Sequence, residues 1–261
     1  MSSNVLVRSA AGVLDTAGAM AAVAFEGLRN TWRIKQWWGE FLEQAWFLVS
    51  VTALPVFLIS IPLGATISLQ VGDLARQLGA QSSTGAIIAV GVVREAAPIA
   101  TAVLIAGAGG SAISADMGSR RIRDELDAMD VMGINPIHRL VTPRIWAAVV
   151  TGMLLVSLVI ISGIGGGYFF NVIVQGVTPG AYFAGATTLL QFADLVQALV
   201  KAGVFGFLAA VVACAQGMNC DKGPVGVGRA VNRAVVNTFV LLFAANYVIS
   251  SIYLVLIPQK L

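Results

Sequence analysis

The sequence predicts an all-α polytopic membrane protein, and three observations carry the prediction. The chain has too few charges to make a water-facing surface, five stretches are apolar enough to span a bilayer, and the basic residues fall mostly on one side of those stretches. Of 261 residues, 57% are hydrophobic and 11% charged, with a mean hydropathy of +0.85; a soluble domain carries about 45–50% apolar and about 25% charged residues. A charge at mid-bilayer costs at least about 2.5–3.5 kcal/mol, and about 20 apolar residues cross the hydrocarbon core. Charge-free runs therefore mark the crossings.

The N-terminal segment, residues 1–43, is expected to stay cytoplasmic: Asp15 and Glu26 interrupt its small-residue stretch, so neither a signal-peptide core nor a span forms there. Its tail, Arg29 to Trp46, mixes Arg29, Arg33 and Lys35 with Trp32, Trp37, Trp38 and Trp46, which suits a helix in the headgroup region. The first span, about 46–70, lies in the charge-free run from Gln44 to Gly72, and Pro55 and Pro62 predict a kink in it. The second, about 83–115, is broken only by Arg94–Glu95. The run from Ile145 to Ala193 is too long for one crossing; it divides into a third span, about 145–170, and an extracytoplasmic segment around Gln175–Gly180. The fourth and fifth spans fall at about 194–217 and 234–258.

With the N-terminus inside, twelve of the sixteen basic residues lie on the cytoplasmic side and only Arg76 and Lys260 outside, which leaves the C-terminus extracytoplasmic. That distribution also accounts for the pI of about 9.1 without a nucleic-acid surface. The glycine-rich stretches Gly107–Ser111 and Gly163–Gly167 read as helix-packing devices. Neither is a phosphate cradle, because glycine nowhere precedes lysine in the chain. The lone His138 reads as a solvated loop residue, and no His, Cys and carboxylate pattern suggests a metal site or a catalytic dyad.

Two groups of residues stand out as functional. The loop from Asp116 to Arg144 crowds charge between two apolar spans, and Ile122, Leu126 and Met129 fall at helical spacing, with Gly133 and Asn135–Pro136 as a stop. Its helix carries four acids after three arginines, which suits a protein partner better than a membrane surface. The second group is intramembrane: Arg94 and Glu95 in the second span, with Asp194 and Lys201 two turns apart on one face of the fourth. Their expected role is to line a cavity or to fix helix register.

Arg94-Glu95-Ala-Ala-Pro98, Thr101-Ala102, Ala106-Gly107, Ser111-Ala112, Ala115-Asp116-Met117-Gly118, Arg121, Glu125–Met129, Met132–Pro136 and Pro143-Arg144 closely resemble the MlaE/YrbE permease family. The likeness continues more thinly through Asp194, Lys201, Gly217, Gly228–Ala230 and Arg233. The family's commonest form has arginine at the position of Ala108, and its proteobacterial form has an acid at that of Asn246; the present form is similar to the YrbE subunits of actinobacterial Mce systems.

The resemblance implies that residues 44–261 form an inner-membrane permease domain, preceded by an interfacial helix and paired with a second YrbE-type chain, a heterodimer in preference to a homodimer. It implies lipid cargo such as fatty acids, sterols or phospholipids, a cytoplasmic ATPase dimer that holds the ATP and magnesium, and extracytoplasmic MCE-domain proteins. It places substrate-cavity candidates at Arg94, Glu95, Asp194, Lys201 and Asn246. ATPase-docking candidates are Arg121, Arg123, Glu125, Leu126, Asp127, Met129 and Met132. No catalytic, cofactor or metal residue is expected on this chain; the alternative is a non-transporting scaffold that anchors the MCE and ATPase partners.

Overall fold

A computed structural model describes residues 18–29, 31, 34–79 and 84–256. The described residues are almost all helical, and five of the helices are long and apolar enough to cross a membrane. In chain order the elements are α1 (residues 18–29), α2 (Ile34–Gln77), α3 (Thr84–Ile122), α4 (Glu125–Val131), α5 (Ile137–Val174), α6 (Pro179–Leu189), α7 (Phe192–Met218) and α8 (Pro224–Leu256). The long ones, α2, α3, α5, α7 and α8, coincide with the five charge-free runs. The chain is an all-α polytopic membrane protein.

Several elements differ in detail from what the residues alone predict. Trp37, Trp38 and Trp46 do not sit on a separate in-plane helix but on the first turns of α2, which runs unbroken for 44 residues through Pro55 and Pro62. Trp32, Arg33 and the first seventeen residues lie outside the described residues, and α1 is the distinct helix. The segment after Gln175 contains a further helix, α6, started by Pro179 at its first turn. His138 is not a solvated loop residue: it is half-buried at the start of α5, and its Nε2 is enclosed without a partner among the described residues.

α7 is the centre of the bundle. Its most apolar window is 72% buried, against 11% for α8 at the edge. α2 lies along α5, α5 against α7, and α7 against both α8 and the second half of α3, while α6 covers the start of α3. The core has two main parts. One, at the end rich in arginine, gathers Val23 of α1, Leu48, Met117, Leu126 of α4, Ile145 and Ala210–Val211. The other, toward the opposite end, contains Val56, Val92, Val156, Tyr182 and Ala202.

Glycine permits these close approaches, though not everywhere the sequence suggests. At the α2–α5 crossing a Cβ on Gly64 would fall on the Gly163 carbonyl, and one on Gly166 would meet the Ile61 carbonyl, so Gly163–Gly167 is a packing device as expected. Gly107 does not pack this way, because a Cβ there meets nothing; its stretch instead forms a wide helical turn, the π segment Ile105–Gly109. The α5–α7 contact uses the isolated residues Gly152 and Gly206, where a Cβ would strike the Ala202 and Ala148 carbonyls. Side-chain hydrogen bonds supplement this packing: Ser60 with Ser162, Asn171 with Ser68, and Ser68 to the Gly167 carbonyl at 2.9 Å.

Gly206→Leu should force α5 and α7 apart and abolish a monodisperse, heat-stable product in detergent. Gly107→Ala should be tolerated, shifting stability by no more than about 1 kcal/mol. Thermal unfolding of the two purified variants tests the pair.

Candidate functional site

The intramembrane charges assemble around a local irregularity in α3. Pro98 has no backbone N–H to give the Arg94 carbonyl four residues earlier, and the turn before it widens into the π segment Val92–Ala96. Single-turn π segments are frequent at functional sites. The freed carbonyl finds its donor on another helix: Lys201 Nζ lies 2.8 Å from Arg94 O. The same ammonium donates to Glu95 Oε1 at 2.9 Å and to Ser250 Oγ of α8 at 2.7 Å. Its three N–H groups are thereby all used.

Arg94 and Glu95 are sequence neighbours, but they part company. Arg94 Nε reaches Asp194 Oδ1 at 2.7 Å, and its guanidinium stands 5.8 Å from the Tyr253 ring centroid. Asp194 also accepts from Tyr253 Oη at 2.5 Å and, through Oδ2, from the Gln191 backbone N–H at 2.8 Å. That last bond belongs to a capping box in which Gln191 caps α7, so the carboxylate both starts the helix and holds the arginine. Glu95 turns toward α8, accepting from Ser250 Oγ at 2.9 Å and from Asn246 Nδ2 at 3.2 Å.

All five sequence candidates, Arg94, Glu95, Asp194, Lys201 and Asn246, thus meet in one network across α3, α7 and α8. The sequence reading missed Gln191, Ser250 and Tyr253; the last two stand four and seven residues beyond Asn246, on the same helical face, and that spacing is the signal that could have found them. Burial is uneven. Lys201 and Asp194 are fully enclosed, whereas the Glu95 side chain is 46% exposed. Beneath Asn246, between α3, α7 and α8, lies a narrow apolar slot of about 10 Å³ lined by Ile99, Val103, Phe205, Phe239 and Phe243.

The second group lies at the arginine-rich end. The spacing of Ile122, Leu126 and Met129 predicts one helix, but α3 ends at Ile122 and α4 starts only at Glu125, because Asp124 takes a left-handed conformation with φ 55°. Aspartate tolerates that region better than most residues. Lys222 Nζ, 2.7 Å from Asp124 Oδ1, holds the turn from the α7–α8 loop and keeps the carboxyl below its usual range. A depressed carboxylate contributes stability at neutral pH that is lost as pH falls through its folded value. α4 ends as the sequence predicts. Gly133 at φ 73° lets the Ile134 and Gly133 N–H groups return to the Met129 and Asp130 carbonyls, a Schellman closure.

The docking candidates divide by orientation. Leu126 is buried in the core and Met129 packs half-buried beside it, so these two anchor α4. Arg123 and Asp127 are exposed, while Arg121 and Glu125 are partly covered. Their charges are largely matched within the segment, by Arg121–Asp127, by Arg123–Glu125 at 2.7 Å and by Arg120–Glu125 at 3.5 Å. What projects is apolar: Val131 is 89% and Met132 66% exposed, with Ile134 beside them. Val131 and Ile134 were not singled out from sequence, since an apolar residue at or just beyond a helix end carries no sign of which way it faces. Below this segment the enclosed Arg144 bonds Asp116 and the Leu140 carbonyl, fastening the end of α3 to the start of α5.

A bundle of five long apolar helices with a short helix between the second and third is the architecture that the permease resemblance implies. The model of the family described as Permease MlaE matches residues 41–252. The chain belongs to the MlaE permease family. Among relatives, it is 34% identical over 190 residues to a probable ABC transporter permease protein of Rickettsia felis, covering 73% of each chain. It is 28% identical over 207 residues to the intermembrane phospholipid transport system permease protein MlaE of Haemophilus influenzae, covering 78% of this chain and 79% of that one. The chloroplastic protein trigalactosyldiacylglycerol 1 of Arabidopsis thaliana is 30% identical over 191 residues, 73% of this chain and 55% of that one. The MlaE match contains both residue groups, Arg94–Asn246 and Asp116–Arg144.

Lys201→Met removes the donor to the Arg94 carbonyl and the partner of Glu95. Because Glu95 is only half-enclosed, the expected loss is about 2 kcal/mol, that of stranding a buried acceptor, below the roughly 3–5 kcal/mol of a fully buried pair. Pro98→Ala gives the carbonyl a backbone donor, so the double variant should recover about 1 kcal/mol. A double-mutant cycle of unfolding in detergent measures the coupling; additive losses would show that Lys201 does not serve that carbonyl.

Proposed function

We propose that the chain is the membrane-spanning subunit of an ABC-type transporter that moves lipids across the inner membrane, with ATP and magnesium held by a separate cytoplasmic ATPase dimer. The observation that carries the reading is Glu95: a carboxylate at mid-span of an MlaE-family permease, kept nearly half uncovered although its lysine partner is enclosed. A cluster that merely fixed register has no use for an uncovered carboxylate at this depth, where a charge facing hydrocarbon is costly. The names of the Rickettsia and Haemophilus relatives support transport and lipid cargo. The likeness to the YrbE subunits of Mce systems supports a second YrbE-type chain as the dimer partner and MCE-domain proteins on the extracytoplasmic side.

In this reading the arginine-rich end is cytoplasmic, as the positive-inside distribution supports, and the C-terminus is extracytoplasmic. α4 is the coupling helix. Val131 and Met132 form its contact with the ATPase, while Leu126 and Met129 tie it to the permease core. An apolar centre ringed by paired charge is a common composition for a protein contact that must be strong and specific.

Two measurements test the proposal. Glu95→Gln keeps the side chain's shape while removing its charge; it should leave co-purification of the ATPase intact and lower ATP-driven lipid transfer in proteoliposomes roughly tenfold or more. Transfer unchanged by Glu95→Gln would favour the scaffold reading. Val131→Asp with Met132→Asp should weaken ATPase co-purification by about tenfold or more, and full retention would remove α4 as the docking element.

A further inference from the structure

The segment from Asp116 to Arg144 carries five acids, and four of them are neutralised from within the chain. Asp116 meets Arg144 and Arg120, Asp124 meets Lys222, Glu125 meets Arg123 and Arg120, and Asp127 meets Arg121. Asp130 is exposed and has no ion pair among the described residues. Its place on the helix is also unfavourable. It stands in the last turn of α4, where the negative end of the helix dipole opposes an anion. Nothing in the stability of the segment accounts for an acid at this position.

Asp130 stands at an open groove of about 450 Å³ between the end of α4 and the end of α7, whose walls include Gly133, Ile134, Asn135, Ile137 and Met218. The other polar side chain there, Asn135, is already committed. Its Nδ2 donates to Glu26 Oε1 of α1 at 2.8 Å, and its Oδ1 accepts from the Ile137 and His138 N–H groups at 2.8 Å and 3.3 Å. The Asp130 carboxylate is therefore the acceptor that remains, and Ile134, Ile137 and Met218 offer apolar surface to the stem of a long basic side chain whose head reaches it. The wall is also preformed: α1 and the start of α5 hold Asn135, and the Schellman closure fixes Gly133 and Ile134. A site that is ordered before binding loses less entropy when it is filled. Of the two basic side chains, arginine fits better, because its planar fork binds a carboxylate at two points and is the more weakly hydrated.

We infer that Asp130 and this groove receive an arginine side chain of the ATPase, beside the contact made by Val131 and Met132; the inference rests on the docking reading of α4 and adds the chemistry of the partner. Val131 and Met132 supply apolar area, which has no direction of its own. One charge pair at its edge fixes the register of the two proteins and rejects a partner of the wrong sign. The four paired acids cannot serve in this way without first breaking a bridge inside the chain.

The test titrates the permease in lipid nanodiscs with the purified ATPase. Asp130→Asn should weaken binding about tenfold at about 0.15 M salt and Asp130→Arg about a hundredfold, and the gap between Asp130→Asn and the unaltered protein should close toward about 1 M salt, where such a pair is screened. Both changes remove an anion from a helix C-terminus, so the melting temperature of the permease alone should hold or rise; a fall would assign Asp130 a structural role and overturn the inference. Among ATPase variants that carry glutamate in place of one arginine, one should restore binding to Asp130→Arg, and rescue found only at a lysine overturns the choice of arginine. A photoreactive benzoylphenylalanine in place of Ile134 should cross-link to the ATPase, whereas an adduct confined to residues 1–17 of this chain gives the groove to its own terminus and overturns the inference. Unchanged affinity and salt dependence in Asp130→Asn, while Val131→Asp with Met132→Asp loses binding, overturns the groove and leaves α4 as the docking helix. Binding retained by both sets of variants overturns both readings.

Discussion

A single ammonium group settles how the membrane half of this protein is put together. Pro98 leaves the Arg94 carbonyl without its helical donor, and a bare carbonyl in hydrocarbon costs several kcal/mol. Lys201 supplies the missing bond from α7, and a lysine placed there must itself be neutralised, which requires Glu95. Ser250 takes the third proton and brings in α8. One backbone defect therefore recruits a charge, the charge recruits a counter-charge, and together they fix α3, α7 and α8 in register. Arg94, turned the other way by the π segment, repeats the logic with Asp194 at the start of α7.

The edge helix α8 shows why this network matters. Its most apolar window is only 11% buried, and in that stretch Leu242 with Phe205, Ala102 and Ala106 forms a small cluster of its own. In lipid there is no hydrophobic drive to dock such a helix, so close packing and interhelical hydrogen bonds must hold it. Asn246, Ser250 and Tyr253 provide those bonds from one face. Of these, Asn246 also lines the narrow slot between α3, α7 and α8.

The architecture was legible because a bilayer writes a coarse signal: a charge-free run of the required length has few other uses, and all five became crossing helices. The candidate cluster was legible for the same reason, since charges that lipid penalises stand out. Direction was not legible. Nothing in Arg94–Glu95 reveals that the pair splits between Asp194 and Lys201, because that split follows from the π segment. Likewise the spacing of Ile122, Leu126 and Met129 hides the left-handed turn at Asp124, which is held by Lys222 nearly a hundred residues away. Glycine runs attracted attention at Gly107–Ser111, while the isolated Gly152 and Gly206 make the closer contact; a contact between two helices depends on both partners, and one sequence window contains only one of them.

α3 is the one helix common to both functional regions. Arg94 and Glu95 lie in its middle, Asp116 near its end, and the turn at Asp124 leads directly into α4. The rise from Arg94 to Asp124 is about 45 Å at helical spacing, more than the hydrocarbon thickness, so this helix alone spans from the charge cluster to the turn that leads into α4. It is not a uniform rod: its two π segments, Val92–Ala96 and Ile105–Gly109, both lie in the membrane half. Its arginine-rich end is firmly held, by Met117 in the core and by the enclosed Arg144 on Asp116. Rigidity is thus concentrated where a partner would push, and irregular backbone where a ligand would sit. In a helix built this way, force applied at α4 is borne by the fastened end, and any change of register falls at the wide turns beside Glu95.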